Sequence, residues 1–434
     1  CEPKTADWRV VGLACLLGLV QASLLLCVAW EKSDTADETR YLASAAALWA
    51  HDDPRDLCEA PALPKRAFGV ALHLAERELP EVPPSWQAAR EMLIQGQPAS
   101  ILRARFFAAR CATIVAVVGA GFFVWLSAAR FGARAAAIAH ALWCFSPTLL
   151  AHGSLATLDP WAAASLAVVL WASTRFVERP SLARSLAVGG ACGVAAATKI
   201  TTILVVPLVV LMIAGAVLRR DRHVRAVWRA AGLTVAVVAA ALATLWTIYG
   251  FSVGGADLGD PCQFLVTGVP SLPGWFPAPA WIEGVAFQLR HGQAGHAGYL
   301  FGEVGHDGWW WFYLACLALK VPIGTQALTL FGAICAIAGA YRHWPRWWID
   351  VGLLAYPWLL VIAMSLGRHQ AGISFLLPAL PFFCVWLGRA ADLLWGARRA
   401  GRWIVPAVLL LSITETLSVH PHYLMFFNVW AGGP

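Results

Sequence analysis

Two adjacent carboxylates, Asp37 and Glu38, lie in the stretch Ser33-Asp34-Thr35-Ala36-Asp37-Glu38-Thr39-Arg40-Tyr41, a few residues past the first long apolar segment, Val10 to Trp30. Acids held at a membrane exit, and followed by an amphipathic run from Tyr41 to Trp49, are placed to take a proton from a hydroxyl at the lipid–water boundary. The plainer reading is a solvated helix start, because Asp and Glu favour the first helical turn. Other charges shift the balance. Asp159 lies in Leu155-Ala156-Thr157-Leu158-Asp159-Pro160, Lys199 in Ala197-Thr198-Lys199-Ile200-Thr201, Lys320 precedes Val321-Pro322, and Arg368-His369 joins two apolar segments. All sit at the ends of such segments, where an ionisable group is costly unless it is paired, reaches the interface or faces a wet cavity.

The elements that must position these groups are membrane spans. At 59% hydrophobic, 13% charged and with 23 Trp, the composition departs from that of soluble domains, which carry roughly 25% charged residues. A span needs about 20 mostly apolar residues. Such segments occur near Val10–Trp30, Phe106–Ala128, Ala135–Leu150, Trp161–Phe176, Leu186–Thr198, Ile200–Leu218, Ala230–Phe251, Val321–Ala340, Trp348–Leu366, Ile373–Leu387 and Ile404–Val419. The expectation is an all-α polytopic protein of about 11 transmembrane helices. Leu186–Thr198 is short and rich in small residues, as at tight helix contacts.

Lysine and arginine in short loops set the orientation. With the N-terminus cytoplasmic, 18 of the 32 Lys and Arg fall on the cytoplasmic side. Ten of the other 14 lie in one long loop, Glu31 to Arg110, alongside twelve acids. The Asp37-Glu38 loop then faces the periplasm of a cell whose inner (cytoplasmic) membrane holds the chain. The net charge of +7 is read as topology and contact with anionic membrane lipids, with no nucleic-acid partner.

The whole of 1–434 reads as one transmembrane domain with two long periplasmic loops. The first, 31–105, is punctuated by prolines and contains the amphipathic pieces Ala67–Glu78 and Ser85–Gln95, expected as interfacial helices. The second, 252–308, is rich in Gly and Pro and leads into Trp309-Trp310-Trp311-Phe312-Tyr313, either an aromatic belt or a stacking platform for a sugar or lipid. The first apolar run reads as a span rather than a cleaved signal, and a soluble domain is expected to follow residue 434.

Most of the eleven cysteines lie within spans; Cys58 and Cys262 lie in the long loops, and a disulfide between them is left open. His51, His73, His152, His291, His296, His306, His369, His420 and His422 fall on the periplasmic side without established ligand spacing. No metal site is therefore assigned and no cofactor is required, with a divalent metal left open. No GxGxxG, Walker or HExxH pattern occurs, which disfavours nucleotide cofactors and zinc proteases.

The carboxylates Asp37, Glu38 and Asp159 suit deprotonation of an attacking hydroxyl, while Lys199, Lys320 and Arg368 suit a phosphate whose tail lies in lipid. A phosphate leaves as a weak base, so stabilising its charge suffices. This layout fits transfer of a sugar from a polyprenyl-phosphate carrier. A transporter would instead place charges near the bilayer midplane within repeated halves, and a noncatalytic scaffold subunit would use the fold without the chemistry.

The chain also resembles the GT-C membrane glycosyltransferases of the protein O-mannosyltransferase and lipid A aminoarabinose transferase superfamily. The matching pieces run in order: Asp37-Glu38-Thr39-Arg40-Tyr41, Ser146-Pro147, Ala151-His152-Gly153, Thr157-Leu158-Asp159, Thr198-Lys199, Gly308-Trp309-Trp310-Trp311-Phe312-Tyr313, Leu319-Lys320-Val321-Pro322, Arg368-His369, Leu377-Pro378-Ala379-Leu380-Pro381 and His422-Tyr423-Leu424. The resemblance implies a GT-C fold, a polyprenyl-phosphate-sugar donor, inversion at the anomeric carbon, and a protein, lipid or glycan acceptor. By position it implies Asp37 as base, Glu38 and Asp159 as further catalytic acids, and Arg40, Tyr41, Lys199, Lys320, Arg368 and His369 as substrate contacts. Thr39 stands where relatives often have proline after the acidic pair.

Overall fold

A computed structural model of the chain describes residues 8–433, apart from 58, 77–80, 221–222, 257–271, 338–346 and 398. Helix α1 (Trp8–Glu31) leads into three helices of the first long loop, α2 (Ala36–His51), α3 (Ala62–Ala75) and α4 (Trp86–Leu93). Then follow α5 (Ala99–Ala128), α6 (Ala133–Cys144), α7 (Pro147–Gly153), α8 (Leu158–Glu178), α9 (Leu182–Ala196), α10 (Val206–Leu218) and α11 (Val224–Ile248). The second long loop folds into α12 (Pro279–Ala294) and two antiparallel pairs, β1 (Val253–Ala256) with β2 (Leu272–Pro277) and β3 (Gly298–Leu300) with β4 (Glu303–Gly305). The chain closes with α13 (Phe312–Lys320), α14 (Ile323–Ile337), α15 (Trp347–Ser365), a 3-10 helix over Ile373–Ala379, α16 (Leu380–Ala397) and α17 (Gly401–Leu417).

Each of the eleven apolar segments is helical over most of its described residues, and the protein is a multi-pass membrane protein. The count of eleven spans is not confirmed. Six helical stretches among the described residues are long and apolar enough to cross a bilayer alone, or up to eight if two bent pairs each count once. Proline accounts for both breaks: α6 and α7 meet at 54° at Pro147, and α13 and α14 at 117° across Val321-Pro322, because proline lacks a donor and restricts the residue before it. The fifteen residues of α9 reach only about 22 Å, short of a hydrocarbon core of about 30 Å.

What α9 lacks in length it makes up in closeness. Gly189 and Gly193, four apart and so on one face, meet α11 so tightly that a Cβ would collide with the carbonyls of Val237 and Ala241, respectively. Small residues at this spacing let helix backbones touch. The contact fixes where α9 ends, and hence where Lys199 begins. Gly193→Val is expected to lower stability by about 1–3 kcal/mol through overpacking, read as an earlier thermal unfolding midpoint in detergent.

Helices α2, α3 and α4 pack over the end of the bundle. Leu42, Phe68, Leu72 and Leu93 form an apolar cluster with Phe106 of α5 and Ala156 of the α7–α8 turn. The expected helices in this loop are thus present, with α2 in addition. The Cys58–Cys262 pairing falls on residues outside those described.

Candidate active site

Asp37 and Glu38 are neighbours in sequence with opposite surroundings. A capping box starts α2: the Thr35 hydroxyl accepts from the Glu38 backbone while the Glu38 carboxylate accepts from the Thr35 amide at 3.0 Å. This turns Glu38 inward. Its side chain is fully buried, and Arg110 of α5, 2% exposed, donates to both oxygens at 2.7 and 2.8 Å. The Ala156 amide donates to Glu38 at 2.9 Å. Arg110 uses its remaining donors on the carbonyls of Ala29, Lys32 and Ser33, each at 2.8 Å. Glu38 therefore ties together the end of α1, the start of α2, α5 and the α7–α8 turn. That is a positioning role, and it leaves no oxygen to act on a substrate, in contrast to the catalytic role expected from the sequence.

Asp37 is exposed, and no ion pair or hydrogen bond to its carboxylate is found among the described residues. Tyr41, one helical turn on, lies within electrostatic reach of both Asp37 and Asp159. Burial, then these two carboxylates, push the Tyr41 phenol up from its ordinary value.

Asp159 stands in the first turn of α8, where the helix dipole favours a negative charge. Antiparallel α8 and α9 bring the start of one beside the end of the other, and Lys199 donates to Asp159 there; the two side chains are 16% and 14% exposed. Ser374 lies within electrostatic reach of Asp159. The Lys199 ammonium lies 4.2 Å from the centre of the Phe375 ring, a cation–π contact. His152, at the end of α7, is within electrostatic reach of Asp159, Lys199 and Lys320.

Lys320 ends α13 at the sharp bend. It donates to the Leu424 carbonyl at 3.3 Å and lies 3.8 Å from the centre of the Phe427 ring. It also borders an apolar cavity of about 670 Å³ between α6, α14, α15, α16 and α17. Asp37, Asp159 and Lys199 do not line this cavity. The 3-10 helix 373–379 stands between. Ile373, Leu376, Leu377 and Ala379 of that helix line the cavity, while Ser374 and Phe375 lie toward Asp159 and Lys199. A cluster of charged side chains thus lies beside the apolar cavity, and Lys320, which borders the cavity, shares with Asp159 and Lys199 an electrostatic reach to His152.

The other expected contacts are placed at the edge. Arg40 pairs with Glu59 at 2.6 Å and stacks on Trp86 at 5.1 Å. Arg368 points to Asp307 at 3.7 Å, and both are well exposed. His369 lies within electrostatic reach of Lys199 and meets two other imidazoles, His291 and His296, with ring centres 4.9 and 4.6 Å away. Burial, then those rings and Lys199, hold His369 down at about 4. Sequence reasoning passed over Arg110, Ser374 and Phe375 and gave His152 no role. Arg110 and His152 carried a signal, a polar residue at the end of an apolar segment; Ser374 and Phe375 carried none.

A helical membrane protein in which a charged cluster adjoins an apolar cavity is the class this arrangement defines, and comparison with known proteins shows where its fold recurs. The dolichyl-phosphate-mannose-protein mannosyltransferase family model matches residues 93–246. A search of curated proteins finds no match. Among solved structures, ArnT from Cupriavidus metallidurans bound to undecaprenyl phosphate is 18% identical with a TM-score of 0.59, over 96% of this chain and 66% of that one. The S. cerevisiae Pmt1-Pmt2 protein O-mannosyltransferase complex bound to the sugar donor is 10% identical with a TM-score of 0.69, over 96% and 90%. The Archaeoglobus fulgidus oligosaccharyltransferase is 14% identical with a TM-score of 0.56, over 96% and 55%. The chain spans less than two thirds of the length of the ArnT structure. The chain shares the fold of these three glycosyltransferase structures, and about a third of it matches the mannosyltransferase family model.

Proposed function

We propose that the protein is an inverting membrane glycosyltransferase that moves a sugar from a polyprenyl-phosphate donor to an acceptor hydroxyl at the periplasmic face. One observation carries the reading: Lys320 borders the apolar cavity, and His152 lies within electrostatic reach of Lys320 as well as of Asp159 and Lys199, so a lipid tail and its charged head find adjoining places. The donor phosphate sits near Lys320 and Lys199 with its tail in the cavity. Asp37 takes the proton from the acceptor hydroxyl, whose oxygen attacks the anomeric carbon from the face opposite the phosphate. The bond from that carbon to the phosphate oxygen breaks, and the polyprenyl phosphate leaves as an anion stabilised by the two ammonium groups. Asp159 holds Lys199 in place, and Tyr41 and His152 supply polar contacts between the acids and the phosphate. Support also comes from the ArnT structure bound to undecaprenyl phosphate and the Pmt1-Pmt2 complex bound to its sugar donor.

The test is turnover of a labelled polyprenyl-phosphate sugar by the chain in lipid nanodiscs, scored by released polyprenyl phosphate. Wild type consumes the donor, and Lys320→Met raises the donor KM about 10- to 100-fold, the loss of one charge-assisted hydrogen bond worth about 1.5–3 kcal/mol. A scaffold subunit would leave the donor untouched across a panel of lipid-linked sugars.

A further inference from the structure

Three imidazoles meet beside the charged cluster, where the Phe375 ring touches both His369 and the Lys199 ammonium. His291 lies in the last turn of α12. The helix stops at Gly295, whose φ of +75° suits glycine, and a Cβ there would press on the His306 carbonyl at 2.8 Å and Arg368 Cβ at 3.0 Å. The reversal folds His296 back onto His291, with Nε2 atoms 2.9 Å apart. His369 arrives from the turn after α15, which Gln370 fastens: its side chain accepts from the Trp309 amide and donates to the Trp309 carbonyl, both at 2.9 Å. The His369 ring stacks flat on Phe375, 5.4 Å between centres at 8°. One candidate nitrogen from each imidazole lies within 4.8 Å of the other two.

Hydrogen bonding among the rings does not account for the cluster. A neutral imidazole carries one donor and one acceptor; the Nε2 atoms of His291 and His296 satisfy each other, while the buried Nδ1 of His369 has no partner. A cation satisfies all three at once. We propose that His291, His296 and His369 form a site for a divalent transition metal of the zinc class. Nitrogen ligands without a carboxylate suit zinc and its neighbours rather than magnesium or calcium, which prefer oxygen. Zinc–imidazole bonds of about 2.0–2.1 Å set tetrahedral ligand atoms about 3.3 Å apart. The widest separation here closes to that value by no more than about 1.5 Å, within reach of rotation of the exposed His296. The metal would fasten the end of α12 to the turn that continues into Ser374 and Phe375, and so brace the residues beside Asp159 and Lys199.

The site is independent of the transferase reading, because its readout is metal content. The full chain, purified without a polyhistidine tag, is stripped with a chelator, dialysed against zinc chloride, desalted and assayed for bound zinc by mass spectrometry. Wild type is expected to retain one zinc per chain, and so is His73→Gln, which alters a histidine stacked on Trp49 of α2. His369→Ala and His296→Gln are expected to retain less than a tenth of that, and His296→Cys, which restores a ligand, to recover it. His296 is exposed, so the Gln variant keeps its fold and its loss of zinc reports the site itself. Equal zinc in wild type and His296→Gln, or no zinc on wild type, overturns the proposal.

Discussion

Asp37→Asn is expected to cut sugar transfer about 10³-fold while the purified variant keeps its helicity and its thermal midpoint. A positioned general base contributes about 10²–10⁴ in rate, and an amide cannot accept the proton. Structure separates this effect from folding. Asp37 is exposed and unpaired among the described residues, so its neutralisation leaves no buried charge behind. Steady-state rates of donor consumption with a fixed acceptor check it. Turnover of Asp37→Asn at the wild-type rate removes Asp37 from the chemistry, whatever happens to the rest of the proposed mechanism.

The neighbouring acid behaves in the opposite way. Glu38→Gln and Arg110→Met are each expected to destabilise the protein by about 3–5 kcal/mol, because each strands one member of a buried ion pair. Arg110→Met also leaves the carbonyls of Ala29, Lys32 and Ser33 without their donor. The double variant should recover part of the loss, since removing both charges is milder than removing one, and a double-mutant cycle on unfolding free energies reads the coupling directly. Single variants within about 0.5 kcal/mol of wild type would contradict the anchoring role. One residue apart, then, Asp37 is expected to govern rate and Glu38 stability.

Much of this was legible beforehand, for reasons that differ by residue. Apolar runs such as Val10–Trp30 and Ala230–Phe251 are helices, α1 and α11, because hydrocarbon leaves the backbone no other partner than itself. The Asp159–Lys199 pair was foreshadowed by topology: two antiparallel helices joined by a short turn must return to the same end. Span number was less readable. Val321-Pro322 reads as the start of the segment Val321–Ala340, yet it is the corner of a 117° bend with α13 before it. The role of Glu38 was hidden because its partner lies 72 residues away, and no local pattern announces a partner at that distance. The three clustered histidines were each visible, but His291 and His369 meet only through the glycine reversal at 295 and the Gln370 clasp.

The 3-10 helix 373–379 is a party wall. Its two sides belong to one stiff turn of backbone, so a bulkier residue at Leu376 would be felt at Ser374 and Phe375, and crowding among the greasy groups would reach the ions next door. Hydrophobic fit and electrostatic setting are here one mechanical quantity, adjusted together or not at all.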